Sequence, residues 1–241
     1  MTIVATDMAA TRHIVDRWLS STQPAVIFDF NGTLSDDEPI LFDIFSDLFA
    51  THLHWNMSAD EYREHYLGRS DREIVQSAVE LHGLGGNDEV NELLRLRRNQ
   101  YKQRVADNNP ILAPTLGLVQ QFVDHHIPIG IVTGAQRGDV MAVLDSSPAG
   151  EHIKVLVAEE DVTKGKPDPE GFLSAASQLR RRLNDLLVFE DSVPGVRAAL
   201  AARMKCIAIN AQPTAELGTV ASAIVPELSA HIVSDALTRR N

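Results

Sequence analysis

A series of short apolar segments rich in valine, isoleucine and phenylalanine limits the folds that this chain can adopt. Each segment is too short for a typical helix, and its near-continuous apolarity is typical of a strand buried on both faces of a parallel sheet. Helical patterns lie between the segments, so the alternation predicts a doubly wound α/β sheet. The predicted strands are Ala25–Phe30, Ile127–Val132, Val155–Ala158, Leu186–Phe189 and Cys206–Ile209.

One long interval interrupts this alternation. Between about Asp36 and Pro110 the apolar residues repeat at helical spacing, and no segment has the pattern of a strand. We interpret the interval as an all-helical domain inserted after the first strand. Near the N-terminus, Trp18 and Leu19 belong to a helical pattern that predicts an amphipathic arm, packed on its own domain or across a dimer. The predicted organisation is an N-terminal arm at 1–23, a core domain at 24–35 and 111–241, and a helical cap domain at 36–110.

Charge and composition argue against several classes of function. The 241 residues include 33 acidic and 22 basic ones, which gives a formal net charge of −11. An acidic chain without a basic run is a poor candidate for binding nucleic acid or an anionic membrane. No apolar stretch approaches the length of a membrane span, no pattern of a secretory signal peptide is present, and one cysteine permits no disulfide within the chain. We therefore expect a soluble cytoplasmic protein.

Polar and charged residues are concentrated where four of the predicted strands end. Asp29 lies at the end of the first strand, Thr133 follows the second, and Glu190 and Asp191 follow the fourth. Lys166 lies in the loop after the third. Because the carboxyl ends of parallel strands meet at one edge of a sheet, where α/β proteins bind ligands, we expect these side chains to lie together.

The acidic members of this group indicate phosphoryl chemistry. A carboxylate at a strand end can attack phosphorus and form an aspartyl-phosphate, which makes Asp29 a candidate nucleophile. The carboxylate and the phosphate are both anionic, so a hard cation with oxygen ligands is needed, and Mg²⁺ suits. Asp29, Asp191 and Glu190 are the candidate metal ligands.

The remaining members are suited to holding a phosphoryl group. The hydroxyl of Thr133 and the ammonium of Lys166 can bind phosphoryl oxygens and offset the charge that develops during transfer. Gly32 and Gly134 would let backbone amides approach the phosphate closely.

Taken in order, these motifs resemble those of the haloacid dehalogenase superfamily. The matching segments are Asp29–Leu34, Thr133-Gly134, Lys166–Pro169 and Glu190–Gly195, and the resemblance covers approximately residues 24–228. The helical insertion resembles the C1-type cap of the branch that contains phosphatases and β-phosphoglucomutase. The resemblance therefore implies a Rossmann-like core with a helical cap, and an enzyme that acts on a small phosphorylated metabolite.

The resemblance also assigns roles to single residues. It implies that Asp29 is the nucleophile and a Mg²⁺ ligand, and that Asp191 is the second metal carboxylate. Glu190 would be an additional or water-mediated ligand. Thr133 would bind the phosphoryl group, and Lys166 would bridge that group and Asp29.

Asn31 departs from the pattern of the superfamily, which has an acid/base aspartate two residues after the nucleophile. Asn31 keeps the backbone carbonyl that the family offers to the metal, but its amide cannot transfer a proton at neutral pH. Since an acid/base typically contributes about 10²–10⁴-fold, we expect a phosphatase with modest activity, or one whose leaving groups need little protonation. The alternatives are other carbon–halogen or carbon–phosphorus chemistry, a β-phosphoglucomutase-like transfer, and phosphometabolite binding without turnover.

The cap contains candidate substrate residues. Leu67–Ser70 resembles a cap loop that meets the substrate, and Arg69 and Arg72 are the candidates to hold a distal anionic group, with helix-end salt bridges as the alternative. Asp71 stands where β-phosphoglucomutases carry an arginine, which disfavours the mutase. The chain is expected to be a monomer or a weak homodimer. A further basic group, interpreted as the polar face of one cap helix with a docking surface for an acidic partner as the alternative, comprises Arg95, Arg97, Arg98 and Arg104.

Overall fold

The computed structural model describes residues 8–67, 69–82 and 86–239, and these divide into two compact units. The core unit is formed by the chain up to Asp36 and from Pro110 onward, and the second unit spans Asp37–Asn109. The first seven residues of the predicted arm and Gly68 of the predicted cap loop lie outside the described residues. No helix in the described ranges is both long and apolar enough to cross a membrane.

The core unit is built on a six-stranded sheet in which every pair of neighbouring strands is parallel. The strand order is β3-β2-β1-β4-β5-β6, which confirms the predicted doubly wound sheet. The five predicted strands are present with slightly different ends, and a sixth of only two residues was not predicted. The strands are β1 (Ala25–Phe28), β2 (Ile129–Val132), β3 (Ile153–Val157), β4 (Leu186–Glu190), β5 (Lys205–Ile209) and β6 (Ile224–Val225).

Helices cover the sheet on both faces. Every residue of β1, β2 and β4 is buried, which requires apolar cover above and below the sheet and explains why these segments are apolar throughout. The core helices are α1 (Met8–Leu19), α6 (Ala113–Asp124), α7 (Arg137–Leu144), α8 (Glu170–Leu179), α9 (Val193–Ala201), α10 (Ala215–Val220) and α11 (Ser234–Thr238).

The described part of the N-terminal arm packs on its own core unit. Trp18 of α1 is fully buried, and its Nε1 donates hydrogen bonds to the carbonyl oxygens of Ala25 (3.1 Å) and Asp185 (3.0 Å). Its ring meets Phe122 of α6 edge to face, with 5.9 Å between ring centroids. The arm therefore fixes the start of β1 and the approach to β4, the two strands whose far ends carry the acidic residues.

The second unit contains four helices within its described residues. Leu41, Ile44, Phe45 and Leu48 form the buried stripe of its first helix, as their spacing predicts. Ser70 and Glu73 exchange the hydrogen bonds of a capping box at the start of the third helix. The helices are α2 (Glu38–His52), α3 (Ala59–His65), α4 (Asp71–His82) and α5 (Asn87–Asp107).

Candidate active site

The strand order places the ends of β1 and β4 side by side. Phe28 of β1 is in register with Phe189 of β4, and the backbone amide of Asp29 donates a hydrogen bond to the Phe189 carbonyl oxygen at 2.9 Å. The chain runs from β1 to β2 and β3 on one side and from β4 to β5 and β6 on the other. Ligands of doubly wound sheets bind outside the strand ends at such a switch point, so Asp29 and Glu190 stand at the expected place.

Lys166 links these two strand ends. Its ammonium donates hydrogen bonds to Asp29 Oδ1 and to Glu190 Oε1, the latter at 2.6 Å. All three side chains are largely withdrawn from solvent, with side-chain exposures of 17% for Lys166, 10% for Asp29 and 0% for Glu190. Ion pairs at this depth are weakly screened, so the lysine fixes the orientation of both carboxylates.

Asp191 completes a cluster of three carboxylates. Asp29, Glu190 and Asp191 each offer an oxygen atom, and these atoms all lie within 4.8 Å of one another. At that separation and an effective dielectric constant near 20, each pair of charges repels by about 3 kcal/mol. One lysine against three carboxylates leaves an excess of two negative charges, which a divalent cation would balance.

The pKa values of two of these carboxyl groups reflect the excess charge. Burial, together with the Glu190 carboxylate, raises the pKa of Asp29 from 3.8 to about 7, although Lys166 opposes the rise. Burial and the carboxylates of Asp29 and Glu190 raise the pKa of Asp191 from 3.8 to about 8. Burial disfavours the charge on Lys166, but Asp29 and Glu190 outweigh it, so the pKa of the lysine is raised. When no other cation is present, these two carboxyl groups therefore keep their protons to a higher pH than an ordinary aspartic acid does.

Glu190 is held by partners on both carboxylate oxygens. Oε1 accepts from Lys166, and Oε2 accepts from the backbone amide (2.8 Å) and the hydroxyl (2.9 Å) of Ser192. The hydroxyl of Ser192, the N-cap of α9, accepts in turn from the Gly195 amide at 3.1 Å. A Cβ atom on Gly195 would collide with the Glu190 carboxylate, so the glycine lets the helix start against this side chain. These contacts favour Glu190 as the residue that orients Lys166.

The loop that carries Lys166 is tied down by a residue that sequence reasoning missed. The carboxylate of Glu170 accepts hydrogen bonds from the Thr163 amide (2.9 Å), the Thr163 hydroxyl (2.8 Å) and the Lys164 amide (2.9 Å). These bonds lower the pKa of Glu170. The Asp168 carboxylate accepts a hydrogen bond from the Glu170 amide at 3.0 Å, and Lys164 is exposed. An acidic residue in the first turn of a helix was the available clue.

Gly32 occupies a backbone conformation that other residues rarely adopt. Its φ is +73°, and a Cβ atom there would collide with the carboxylate of Asp191. The Gly32 amide donates to the Ser35 carbonyl oxygen at 2.8 Å, and Asn31 forms an isolated β-bridge with Ser35. These contacts hold the turn after Asp29, and Asn31 lies on it, partly exposed, two residues beyond Asp29.

Thr133 and Gly134 follow β2, the strand beside β1. The Thr133 amide donates to the Val157 carbonyl oxygen at 3.0 Å, and its buried hydroxyl accepts from the Ala135 amide at 3.0 Å. A Cβ atom on Gly134 would meet no atom of the described residues within 4 Å. The turn is thus ordered by Thr133, while the roles of both residues in binding phosphate stay predictions.

The candidate substrate residues of the second unit have partners within that unit. Arg69 donates to the Ser77 hydroxyl at 3.1 Å and lies 5.8 Å from the centroid of the Tyr66 ring, and Arg72 donates to Asn91 Oδ1 at 3.3 Å. Their binding of substrate remains a prediction.

The interpretation of Arg97 as part of a polar helix face was wrong. It is 3% exposed, pairs with Asp71 at 2.9 Å and lies over the Tyr101 ring. A buried guanidinium is stable here because an acid and an aromatic ring replace its hydration.

Comparison with known proteins places this arrangement in a family. A family profile described as haloacid dehalogenase-like hydrolase matches residues 26–209. The protein CbbY of Rhodobacter capsulatus is 28% identical over 86% of this chain and 94% of its own length. A phosphorylated carbohydrates phosphatase of Thermotoga maritima is 27% identical over 76% of this chain and 83% of its own length.

A solved structure shows the same fold. The crystal structure of CbbY from Rhodobacter sphaeroides in complex with phosphate has a TM-score of 0.75 and 21% identity to this protein, and the match covers 90% of this chain and all of that one. The family match extends from β1 to β5 and so includes every strand end that contributes to the carboxylate cluster. The chain belongs to the haloacid dehalogenase-like hydrolases.

Proposed function

We propose that this protein is a magnesium-dependent phosphatase of small phosphorylated metabolites in which Asp29 is the covalent nucleophile. The observation that carries the proposal is the ion pair between Asp29 and Lys166. The carboxylates of Glu190 and Asp191, at the neighbouring strand end, lie close to this pair. The names of two relatives support the reaction class, since CbbY has been crystallised with phosphate and the Thermotoga maritima relative is a phosphatase of phosphorylated carbohydrates.

The residues present fit a magnesium ion. Three carboxylates within 4.8 Å carry more negative charge than one lysine offsets, and hard oxygen donors are what Mg²⁺ prefers. Asp29 and Asp191 would hold the ion, together with the backbone carbonyl of Asn31. Glu190 would support them from the second layer, because both of its oxygens already have partners. When bound, the ion supplies charge compensation for the phosphoryl oxygens.

Asp29 acts in two displacements at phosphorus. Its carboxylate attacks the phosphoryl group, the bond from phosphorus to the leaving oxygen breaks, and the electron pair departs with that oxygen. Lys166 keeps the carboxylate oriented and offsets charge on the transferring group, and Thr133 contributes a hydroxyl at the neighbouring strand end. Water then attacks phosphorus, and the electron pair of the broken bond returns to Asp29.

Asn31 sets the expected rate. Its carboxamide neither supplies a proton to the leaving oxygen nor accepts one from water. Because a positioned acid/base contributes about 10²–10⁴-fold, hydrolysis of alkyl phosphates proceeds at a modest rate.

The test is phosphate release from a panel of phosphorylated sugars, glycolytic acids and nucleotides, with and without Mg²⁺. Wild type, Asp29→Asn and Asn31→Asp are compared after thermal unfolding has verified that each is folded. We expect Mg²⁺-dependent release by the wild type, loss of release in Asp29→Asn, and faster release from alkyl phosphates in Asn31→Asp.

Other results would favour the rivals. Turnover that survives Asp29→Asn would refute the nucleophile. Interconversion of hexose phosphates without phosphate release would favour a mutase. Binding of phosphorylated ligands with no turnover by either the wild type or Asn31→Asp would favour a binding protein.

A further inference from the structure

Asn31 cannot act as an acid/base, and no other side chain on the turn that carries it can take over that role. The turn is fixed by the bond from the Gly32 amide to the Ser35 carbonyl oxygen and by the bridge between Asn31 and Ser35. Thr33 and Ser35 are both buried, and their hydroxyl oxygens have no hydrogen-bond partner among the described residues. The pKa values of hydroxyls and of a carboxamide lie far from neutral pH, so these groups are poor general acids and bases there.

The charged groups that contact or face Asp29 in the described core already form ion pairs, accept hydrogen bonds or belong to the carboxylate cluster. The ammonium of Lys166 is shared between Asp29 and Glu190. Glu190 is fully buried and both of its oxygens accept hydrogen bonds, and Asp191 belongs to the cluster of three carboxylates. In the described part of the core unit, Asp29 therefore has a cationic partner, but no side chain near it is available to donate or accept a proton.

A nucleophile without a proton donor beside it favours certain phosphoryl donors in the first step, the transfer of the phosphoryl group to Asp29. When Asp29 attacks phosphorus, the bond between phosphorus and the leaving oxygen breaks and the electron pair leaves with that oxygen. An alkyl phosphate would have to release a strongly basic alkoxide, whereas an acyl phosphate releases a carboxylate, which is stable without a proton. Both the acyl phosphate and phosphorylated Asp29 are mixed anhydrides, so the transfer between them is close to thermoneutral.

The missing acid/base also slows the second step, the hydrolysis of phosphorylated Asp29. The attacking water must lose a proton as its oxygen bonds to phosphorus and the bond from phosphorus to Asp29 breaks. Without a base beside the water, this hydrolysis is slower by about 10²–10⁴-fold than it would be with one.

We propose that Asp29 is readily phosphorylated by acyl phosphates and only slowly dephosphorylated, so that the phosphorylated protein accumulates. The inference rests on the proposed role of Asp29 as nucleophile and adds to it a donor class and a long-lived covalent state. The chain would then act as a phosphoryl acceptor whose occupancy follows the supply of acyl phosphate.

The test is the intact mass of the full-length protein during incubation with acetyl phosphate and Mg²⁺, followed by removal of the donor. Wild type, Asn31→Asp and Asp29→Asn are treated in parallel, with glucose 6-phosphate as the alkyl donor. Mass distinguishes a phosphoryl group from acetylation of lysines, and Asp29→Asn identifies phosphorylation at other sites. Thermal unfolding verifies that each variant is folded.

We expect the wild type to gain one phosphoryl group from acetyl phosphate, much faster than from glucose 6-phosphate, and to retain it after the donor is removed. Asn31→Asp should lose the group about 10²–10⁴-fold faster and release phosphate continuously. Equal decay in the wild type and Asn31→Asp would overturn the inference while leaving the nucleophile in place. If neither protein gains a phosphoryl group or releases phosphate, the inference and the proposed function both fail.

Discussion

Magnesium should stabilise this protein much more at about pH 8 than at about pH 6. The carboxyl groups of Asp29 and Asp191 have pKa values raised from 3.8 to about 7 and about 8, in each case chiefly by burial. At the lower pH, protons occupy the oxygens that a cation needs. At the higher pH these protons have largely left, and the cation meets ionised carboxylates.

For the metal-free protein, the same pKa values determine whether the free energy of unfolding rises or falls with pH. The unfolded chain ionises these groups near 3.8, whereas the folded chain keeps protons on them up to about 7 and about 8. Over that window the folded state binds more protons, so the free energy of unfolding without a cation decreases as the pH rises. Bound Mg²⁺ should remove this decrease, because it replaces the protons.

The size of the effect can be worked from the two groups. Affinity for the ion falls about tenfold per pH unit below the pKa of each carboxyl group, so two groups give about a hundredfold or more between pH 8 and pH 6. A hundredfold difference in affinity corresponds to about 2.7 kcal/mol. For a chain of this size, 1 kcal/mol shifts Tm by about 2–4 °C, so the Mg²⁺-induced shift should differ by about 5–10 °C.

The assay is thermal unfolding at the two pH values with a fixed, moderate concentration of MgCl₂ or with chelator. Asp191→Asn is the matched variant, since it removes one titrating ligand and should abolish most of the Mg²⁺-induced shift at both pH values. An Mg²⁺-induced shift in wild type that is equal at the two pH values, or larger at pH 6, would refute the account of this cluster.

Three further predictions concern single residues. Lys166→Met should lower kcat/KM for phosphate release by about 10²–10³-fold, because Asp29, the proposed nucleophile, loses its only ion-pair partner among the described residues, while replacing the exposed Lys164 by Met should have little effect. Gly32→Ala should weaken Mg²⁺ binding in calorimetry at least about tenfold, because the φ of +73° at Gly32 and the crowding against the Asp191 carboxylate, a proposed ligand, both oppose a side chain; Gly117→Ala, with open space around it, is the control. Trp18→Ala should lower the free energy of unfolding in urea by about 3–5 kcal/mol, since it removes a fully buried ring and two hydrogen bonds, and an unchanged midpoint would contradict the packing of the arm.

The sheet could be predicted because its strands are buried on both faces and its candidate site residues lie at or after strand ends. Ala25–Phe28 and Leu186–Glu190 have no polar residue before their final positions, and a parallel sheet requires such segments. The juxtaposition of Asp29 with Glu190 then follows from topology, since the two strands are neighbours. The two-residue strand Ile224–Val225 escaped prediction because it is too short for a periodic pattern.

Details that depend on tertiary contacts could not be predicted in the same way. Nothing in the local sequence distinguishes the buried Arg97 from the exposed Arg95 two residues earlier, because the difference lies in the partner that each finds on another turn or helix. The clamp by Glu170 on the loop of Lys166 likewise depends on how that loop folds back onto the start of α8. Side-chain networks of this kind arise from chain geometry that spacing alone does not determine.

Locating the phosphoryl group on the chain would show directly whether Asp29 is the nucleophile. Wild-type protein is quenched in acid during reaction with acetyl phosphate and Mg²⁺, reduced with borohydride, and digested for peptide mass spectrometry. Reduction converts an aspartyl-phosphate to homoserine, so the account predicts homoserine at the position of Asp29 and none in the sample without donor. Continued phosphate release with Asp29 unmodified, or modification confined to another residue, would contradict it.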